Sequence, residues 1–351
     1  MRRRSARVTL AILGGLLVAT FVAGVGTGTV SIPPARVAGI VWQALSRGDG
    51  EPAATDTQTR IVRDVRLPRV ALAGLVGLAL AAAGTVMQGI FRNPLAEPYL
   101  LGLSSGATMG AAAVIALGLE RKLPGVLPFA AFAGSLLAVA IVYRIGRMNR
   151  GDGDGATLVL AGVALSALFA SVTSFCIVVS SPDQTRGIVF WMMGGLAGAQ
   201  WAQVWPLALV VAVCVPVLLA FARDLDALAL GDAMAAHLGV SPAWVQRALL
   251  AAAALLTASC VAAAGTIGFI GLIVPHALRL VVGPDHRALV PAAALAGAIL
   301  LIVCDTAART LAKPTEIPVG ILTALLGAPF FLYLLRRRTS AGRRAWAGDA
   351  A

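Results

Sequence analysis

The chain has 351 residues, of which 59% are apolar and only 13% charged, with a mean hydropathy of +0.87. Soluble domains carry about 25% charged residues; with half that share, a chain this long cannot cover itself in polar surface, so its outside must face membrane lipid. The formal charge of +12 would suggest nucleic acid in a soluble protein, but the arginines sit between apolar runs, as flanks of membrane spans do, and no basic stripe with interleaved aromatics is present, so a nucleic-acid partner is excluded.

In chain order, MRRRSAR followed by the apolar run 8–30 mimics a signal peptide. The run is longer than a secretory core and further spans follow, so it reads as an uncleaved first span. At about 20 mostly apolar residues per span, further spans are predicted at 70–90, 99–119, 126–145, 156–180, 204–221, 246–265, 267–282, 288–308 and 317–335. The predicted fold is all-α and polytopic: one transmembrane domain over 1–351, with a ten-span core at 8–335, an outer loop at 31–69, a cytoplasmic segment at 223–243 and a cytoplasmic tail at 336–351. The Gly-broken apolar stretch 187–200 (GIVFWMMGGLAGAQ) predicts a re-entrant or interfacial segment with Trp191 and Trp201 as headgroup anchors.

Orientation follows from the basic residues of the short connections. With the amino terminus inside, Arg2, Arg3, Arg4, Arg7, Arg92, Arg144, Arg147, Arg150, Arg223, Arg247, Arg279, Arg287, Arg336, Arg337, Arg338, Arg343 and Arg344 fall on the cytoplasmic side. The short outer connections hold Arg121, Lys122, Arg186, Arg309 and Lys313. Both termini are therefore expected in the cytoplasm. AAAGTV at 81–86 echoes AAAGTI at 262–267, and the same offset pairs Pro94 with Pro275, Arg66 with Arg247 and Gly102 with Gly283. The spans carrying the echo run in opposite directions, as in the inverted repeats of transporters.

Segment 223–243 (RDLDALALGDAMAAHLGVSPA) predicts short amphipathic helices broken at Gly231 and Gly239. As an ordinary solvated loop it would leave Leu228, Leu230 and Leu238 exposed, so it reads as a platform for a soluble partner. Gly74, Gly77 and Gly84 permit close helix packing. The four cysteines lie far apart inside apolar runs and read as small packing residues.

Catalytic constellations are missing. There is no HExxH, GxSxG or Cys/His metal spacing, and the histidines at 237, 276 and 286 are scattered. Neither lysine, Lys122 or Lys313, follows a glycine, so no P-loop exists and any ATPase must be another polypeptide. Asp305 and Arg309, four apart on one helix face, are placed to neutralise each other. An ion-coupled secondary carrier acting alone, the main alternative, would need titratable groups at mid-membrane; no ladder of Asp, Glu or His runs through the spans. An intramembrane enzyme would need a nucleophile–base or metal constellation, which is also absent.

The run RLPRVALAGLVGLALAAAGTVMQGIFRNPLAEPYLLGLSSGA (66–107), with FWMMGGLAGAQW (190–201), LALGDAMAAHLGV (228–240), GTIGFIGLIVPHALRLVVGPDHR (265–287) and EIPVGILTALLGAPFFLYLLRRR (316–338), resembles the permease subunits of type II ABC importers for iron-siderophores, haem and cobalamin. The resemblance runs in order over essentially the whole chain. It implies a homodimer of ten-helix subunits in the bacterial cytoplasmic membrane, a path along the dimer interface, two cytoplasmic ATPase subunits that hold ATP and Mg, and a soluble binding protein outside. No cofactor is implied in this chain. Arg66, Arg69 and Arg309 are similar to the arginines that meet glutamates of the binding protein in the cobalamin member. Leu228, Leu230, Gly231, His237, Leu238 and Gly239 fall on the cytoplasmic coupling helices, as the contacts of the ATPase. Arg92, Asn93, Pro94, Pro98, Gly102, Gly106, Gly268, Pro275 and His276 belong to the family motifs as structural residues.

Overall fold

The computed structural model describes residues 2–28, 32–33, 35–36, 39–40, 57–148, 155–312 and 315–348. Expectations that rest on residues 41–56, on Arg150 or Lys313, or on side chains from Arg337 onward lie outside the described residues. In chain order the helices are α1 (Arg2–Gly26), α2 (Leu67–Ile90), α3 (Leu103–Ala116), α4 (Val126–Met148), α5 (Gly155–Val179), α6 (Pro182–Met192), α7 (Trp201–Ala220), α8 (Ala222–Ala229), α9 (Asp232–His237), α10 (Pro242–Ala264), α11 (Ile270–Val282), α12 (His286–Thr310) and α13 (Val319–Gly348). In lipid every backbone polar group must be satisfied internally, which leaves a helix as the way for such apolar runs to fold.

Seven of these helices are long and apolar enough to cross a membrane: α1, α2 with its lead-in from Thr57, α4, α5, α7, α10 and α12. Three shorter apolar helices accompany them, α3, α11 and the 319–333 part of α13. Each span read from the sequence falls on one of these. The stretch 187–200 divides: its first half belongs to α6, capped by Ser181 and Gln184, and 193–200 is an irregular strap. Gly195 N–H donates to Ala264 O at 2.8 Å and Gly320 N–H to Gly194 O at 3.3 Å, so the strap threads between the end of α10 and the start of α13. Trp201 donates from its indole nitrogen to Arg63 O at 3.3 Å. Trp191 is half-buried and packs against the Ala112, Ile115 and Cys176 cluster, because α6 lies against α3.

α2 is the axis of the bundle. It is the most enclosed of the long helices and packs on α12, α10, α11 and α7. Lipid gives helices no hydrophobic reason to associate, so close backbone approach at small residues must supply the attraction. A Cβ on Gly77 would collide with the Gly297 carbonyl of α12, and one on Gly84 with the Gly271 carbonyl of α11. Gly74, by contrast, meets only the Ile302 side chain at ordinary contact distance. Gly106 of α3 and Gly134 of α4 close against each other in the same way. All four cysteines are buried and none forms a disulfide.

α3 and α11 are short because the chain before each is not helical. Residues 91–102 return from the end of α2 through a 3-10 turn, Pro98–Leu101, and Gly102, at φ 79°, opens α3. Residues 265–269 lead into α11, which starts beside Leu80 and Gly84 of α2, well inside the length of that helix. The two connections meet there. Phe269 N–H donates to the Glu97 carboxylate at 2.8 Å, and the Tyr99 hydroxyl to Ile267 O at 3.0 Å. Apart from glycines, the described residues with positive φ are Arg92 and Phe269, one in each connection. Left-handed backbone at such residues costs energy and persists where surrounding contacts impose it.

Candidate functional site

Two charged assemblies lie at opposite ends of α2. At its first end, a π-helical segment, Ile61–Arg66, delivers Arg66 to the end of α1. Arg66 Nη1 donates to Val25 O and Gly26 O, both at 3.0 Å. Arg309 Nη2 donates to Gly24 O at 3.0 Å and its Nη1 to Thr27 O at 3.3 Å. The last carbonyls of a helix have no partner within it and carry its negative dipole end, so two guanidiniums cap α1. Asp305, with a side chain 1% exposed, lies between Arg69 and Arg309: Nε–Oδ1 is 3.0 Å to the first and Nε–Oδ2 3.1 Å to the second. Arg69 Nη1 reaches outward to Glu316 Oε2 at 2.8 Å, and the Glu316 side chain is 44% exposed.

The structure thus brings the three predicted docking arginines together, but not as free rim charges. Arg66, Arg69 and Arg309 are 5%, 8% and 7% exposed. The burial has a physical cause: Asp305 and the orphan carbonyls of α1 take these guanidiniums as donors inside the protein. The Asp305–Arg309 pair was legible as an i,i+4 spacing. That Asp305 is shared with Arg69, 236 positions away, was not. Glu316 was missed as a site residue, although it opens the EIPVG motif.

At the other end of α2, α8 and α9 form the predicted pair of short helices, with Gly231 at φ 113° between them and Gly239 at φ 82° after them. Leu230 and Leu238 are 68% and 59% exposed, and Met234 50%; His237 and Gly239 are exposed beside them. Leu228 is corrected. It is 1% exposed, because α8 turns Ala222, Leu225 and Leu228 into the core on one helical stripe. What Leu228 offers is its carbonyl, which accepts from Arg92 Nε at 2.8 Å. Arg92 also pairs with Asp232 at the start of α9. Asn93 Oδ1 accepts from Leu95 N–H at 3.0 Å, an Asx turn that sets Pro94 and the rest of the loop. From the opposite side, Asp226 of α8 binds His286 at the start of α12, through the backbone N–H at 3.1 Å and the ring Nδ1 at 2.5 Å. The segment is therefore fastened to both α2 and α12.

The remaining motif residues are distributed through the core. Pro98 and Gly102 shape the entry to α3, Gly106 packs on Gly134, and Pro275 is buried inside α11. His276 packs edge-on to Phe330 of α13, with ring centroids 6.3 Å apart. At Gly268 a Cβ would meet nothing within 4 Å, so packing does not explain that glycine.

A bundle of apolar helices with a charged brace at one end and a fastened, leucine-bearing platform at the other is the build of a multi-pass transport permease. Residues 16–337 match the FecCD transport family, and the chain belongs to it. It is 49% identical over 308 residues to the cobalamin import system permease protein of Halobacterium salinarum, covering 87% of this chain and 82% of that one. It is 44% identical over 292 residues to the hemin transport system permease protein of Yersinia pestis, covering 82% and 86%. A solved structure described as an inward-facing conformation of a metal-chelate type ABC transporter superposes with a TM-score of 0.80 at 33% identity, over 93% of this chain and 98% of that one. The chain is a transmembrane permease subunit of the ABC importer class.

Replacing Asp305 by Asn strands Arg69 and Arg309 without their shared counter-charge. Removing one partner of a buried ion pair costs about 3–5 kcal/mol, so Asp305→Asn is expected to lower the melting temperature in detergent sharply. Glu316→Gln, at the half-exposed edge, is expected to cost about 0–1 kcal/mol and leave it nearly unchanged.

Proposed function

We propose that two copies of this chain form the membrane part of an ATP-driven importer for a metal chelate of the cobalamin, haem or iron-siderophore type. Each copy crosses the membrane ten times, with both termini in the cytoplasm and the Arg92 end of α2 inside. The inverted repeat read from the sequence corresponds to α2–α5 and α10–α13. Helix lengths support it: a long helix, a short one of 14 or 13 residues, then two long ones, in both sets. The exposed face of α5 alternates large apolar residues with Ala167, Ala170, Ser171 and Ser174, which suits a path of small, weakly interacting side chains between the two copies. The relatives named above supply the substrate class, and their being permeases for different chelates accords with selection by a separate binding protein.

The observation that carries this reading is the platform at 222–239. Leu230 and Leu238 are exposed on a segment whose every other anchor is to the membrane core, through Arg92, Asp226 and the buried Leu225 and Leu228. Leucines held rigidly in water need a protein to cover them, and a chain with no P-loop needs an ATPase. Alternating access then requires each state of the permease to differ in affinity for nucleotide-loaded ATPase and for binding protein. With Leu230 and Leu238 both changed to Asp, ATP hydrolysis stimulated by the binding protein is expected to fall at least about tenfold, as for hot-spot contacts. Because both side chains are exposed, the melting temperature should not move. Stimulated hydrolysis at the normal level would remove the platform as the coupling site.

Docking of the binding protein is proposed at the opposite end, where Arg69 and Glu316 border a pocket of about 300 Å³ between the strap and the start of α13. In the undocked state Glu316 engages the outward side of Arg69, and an acidic group on the binding protein competes with it. Charges of this kind chiefly set association rate and register. Glu316→Gln is therefore expected to speed association of the binding protein at low salt, as read by surface-based binding kinetics, with the gain shrinking as salt rises. An unchanged or slower association rate would count against this site.

A further inference from the structure

At the platform end lies a cleft of about 570 Å³ that shares Leu230 with the coupling surface but whose polar lining neither the docking nor the coupling contacts use. Among its lining residues are Gln88, Arg92, Asp226, Arg279, Asp285 and His286. Most of this charge is already committed within the protein. Asp226 is engaged by the backbone and ring of His286, and Asp285 caps α12 by accepting from Arg287 N–H at 2.9 Å. Arg92 is engaged by Leu228 O and Asp232. Three groups are left over. The Arg279 guanidinium, in the last turn of α11, has neither a hydrogen bond nor an ion pair with any described residue. His286, 5% exposed, has a buried Nε2 with no partner, and Gln88, 2% exposed, has a buried Oε1 with none.

Buried polar atoms in native structures are almost always satisfied, and each exception asks for a cause. Here two such exceptions line one cleft beside the unpaired Arg279 guanidinium, so a ligand meets the need better than separate accidents. Arg279 offers donors in the fork geometry that matches phosphate oxygens. His286 Nε2 donates to such an oxygen when the ring is protonated and accepts from a hydroxyl when it is neutral; Gln88 Oε1 accepts only. A group that carries both phosphate oxygens and a hydroxyl satisfies all three. Leu280 and Val281, next to Arg279, are 75% and 64% exposed, so exposed apolar surface runs up to the mouth of the cleft. Basic pockets between helices at the cytoplasmic surface are a recurrent way to hold anionic headgroups.

We propose that the cleft between α8, the end of α11 and the start of α12 binds a phosphate-group anion, from a lipid headgroup or from solution, with Arg279 as its principal ligand. Such an anion would bridge the coupling platform to α11 and α12, stiffening the element that the ATPase pushes. The location on the inner surface rests on the orientation proposed above; binding itself does not, since it can be read in bilayers with the same lipid on both sides.

The test uses the full-length permease in nanodiscs of phosphatidylcholine alone, of phosphatidylcholine with phosphatidylglycerol, and of phosphatidylcholine with inorganic phosphate in the buffer. Melting temperature and the phosphatidylglycerol retained through delipidation, measured by mass spectrometry, are the readouts. Phosphatidylglycerol should raise the melting temperature of the wild type and be retained over phosphatidylcholine. Arg279→Gln should abolish the rise and weaken retention about tenfold, the scale of a lost charge-assisted pair. Arg287→Gln, which removes the same charge from an exposed position outside the cleft, should change neither. A rise given equally by inorganic phosphate, and lost in Arg279→Gln, identifies the dissolved anion as the ligand; a rise given by the lipid alone identifies the headgroup. If Arg279→Gln does not fold, Arg279→Lys and wild-type retention carry the test. No rise and no selective retention in the wild type, or equal responses of the Arg279 and Arg287 variants, would overturn the proposal.

Discussion

Inside a bilayer, a helix end or a charge that water would otherwise satisfy must find its partner within the protein, and in this chain that constraint converges on α2. Arg66 and Arg69 at its first end answer the bare carbonyls of α1 and the Asp305 carboxylate. Gln88 and Arg92 at its last end reach Leu272 O and Leu228 O of α8. Between them, Gly77 and Gly84 let α12 and α11 approach until backbones touch. Whatever moves the platform therefore acts directly on the helix that braces the opposite face.

This arrangement suits a machine driven from one side and loaded from the other. The platform is not a loop hung from the bundle; Arg92, Asp226 and His286 tie it to α2 and α12 at once. Near mid-length, the connection before α3 meets the one before α11 through Glu97 and Phe269, so two non-helical connections touch inside the bundle. Discontinuous helices of this kind are where many transporters place their binding sites. The buried acids are committed elsewhere: Asp305 faces two arginines and Glu97 holds a backbone N–H. Neither resembles a site left open for a coupling ion.

Much of the fold was legible because it rests on local patterns. Apolar length set the helices, and the glycines at 231 and 239 broke the platform where the structure breaks it. The Asp305–Arg309 pair followed from a spacing of four. The sequence was least informative about partners far apart in the chain. The burial of the three arginines depends on α1 ending beside α12, and Leu228 turns inward because α8 starts at Ala222. Glu97 lies between two predicted spans, and only the re-entry of 91–102 beside 265–269 brings it to the Phe269 N–H. The cleft at Arg279 and His286 joins four separate segments, and no motif announces it.

The central claim is that this chain moves its substrate only as part of an assembly that supplies both ATP hydrolysis and substrate delivery. Its most direct test is co-reconstitution into proteoliposomes with the cognate ATPase and binding protein, offering labelled cobalamin, haem and iron-siderophore side by side. The account predicts uptake of a chelate of this class that requires ATP, the ATPase and the loaded binding protein together. Uptake by the permease alone, driven by a proton or sodium gradient, would contradict it.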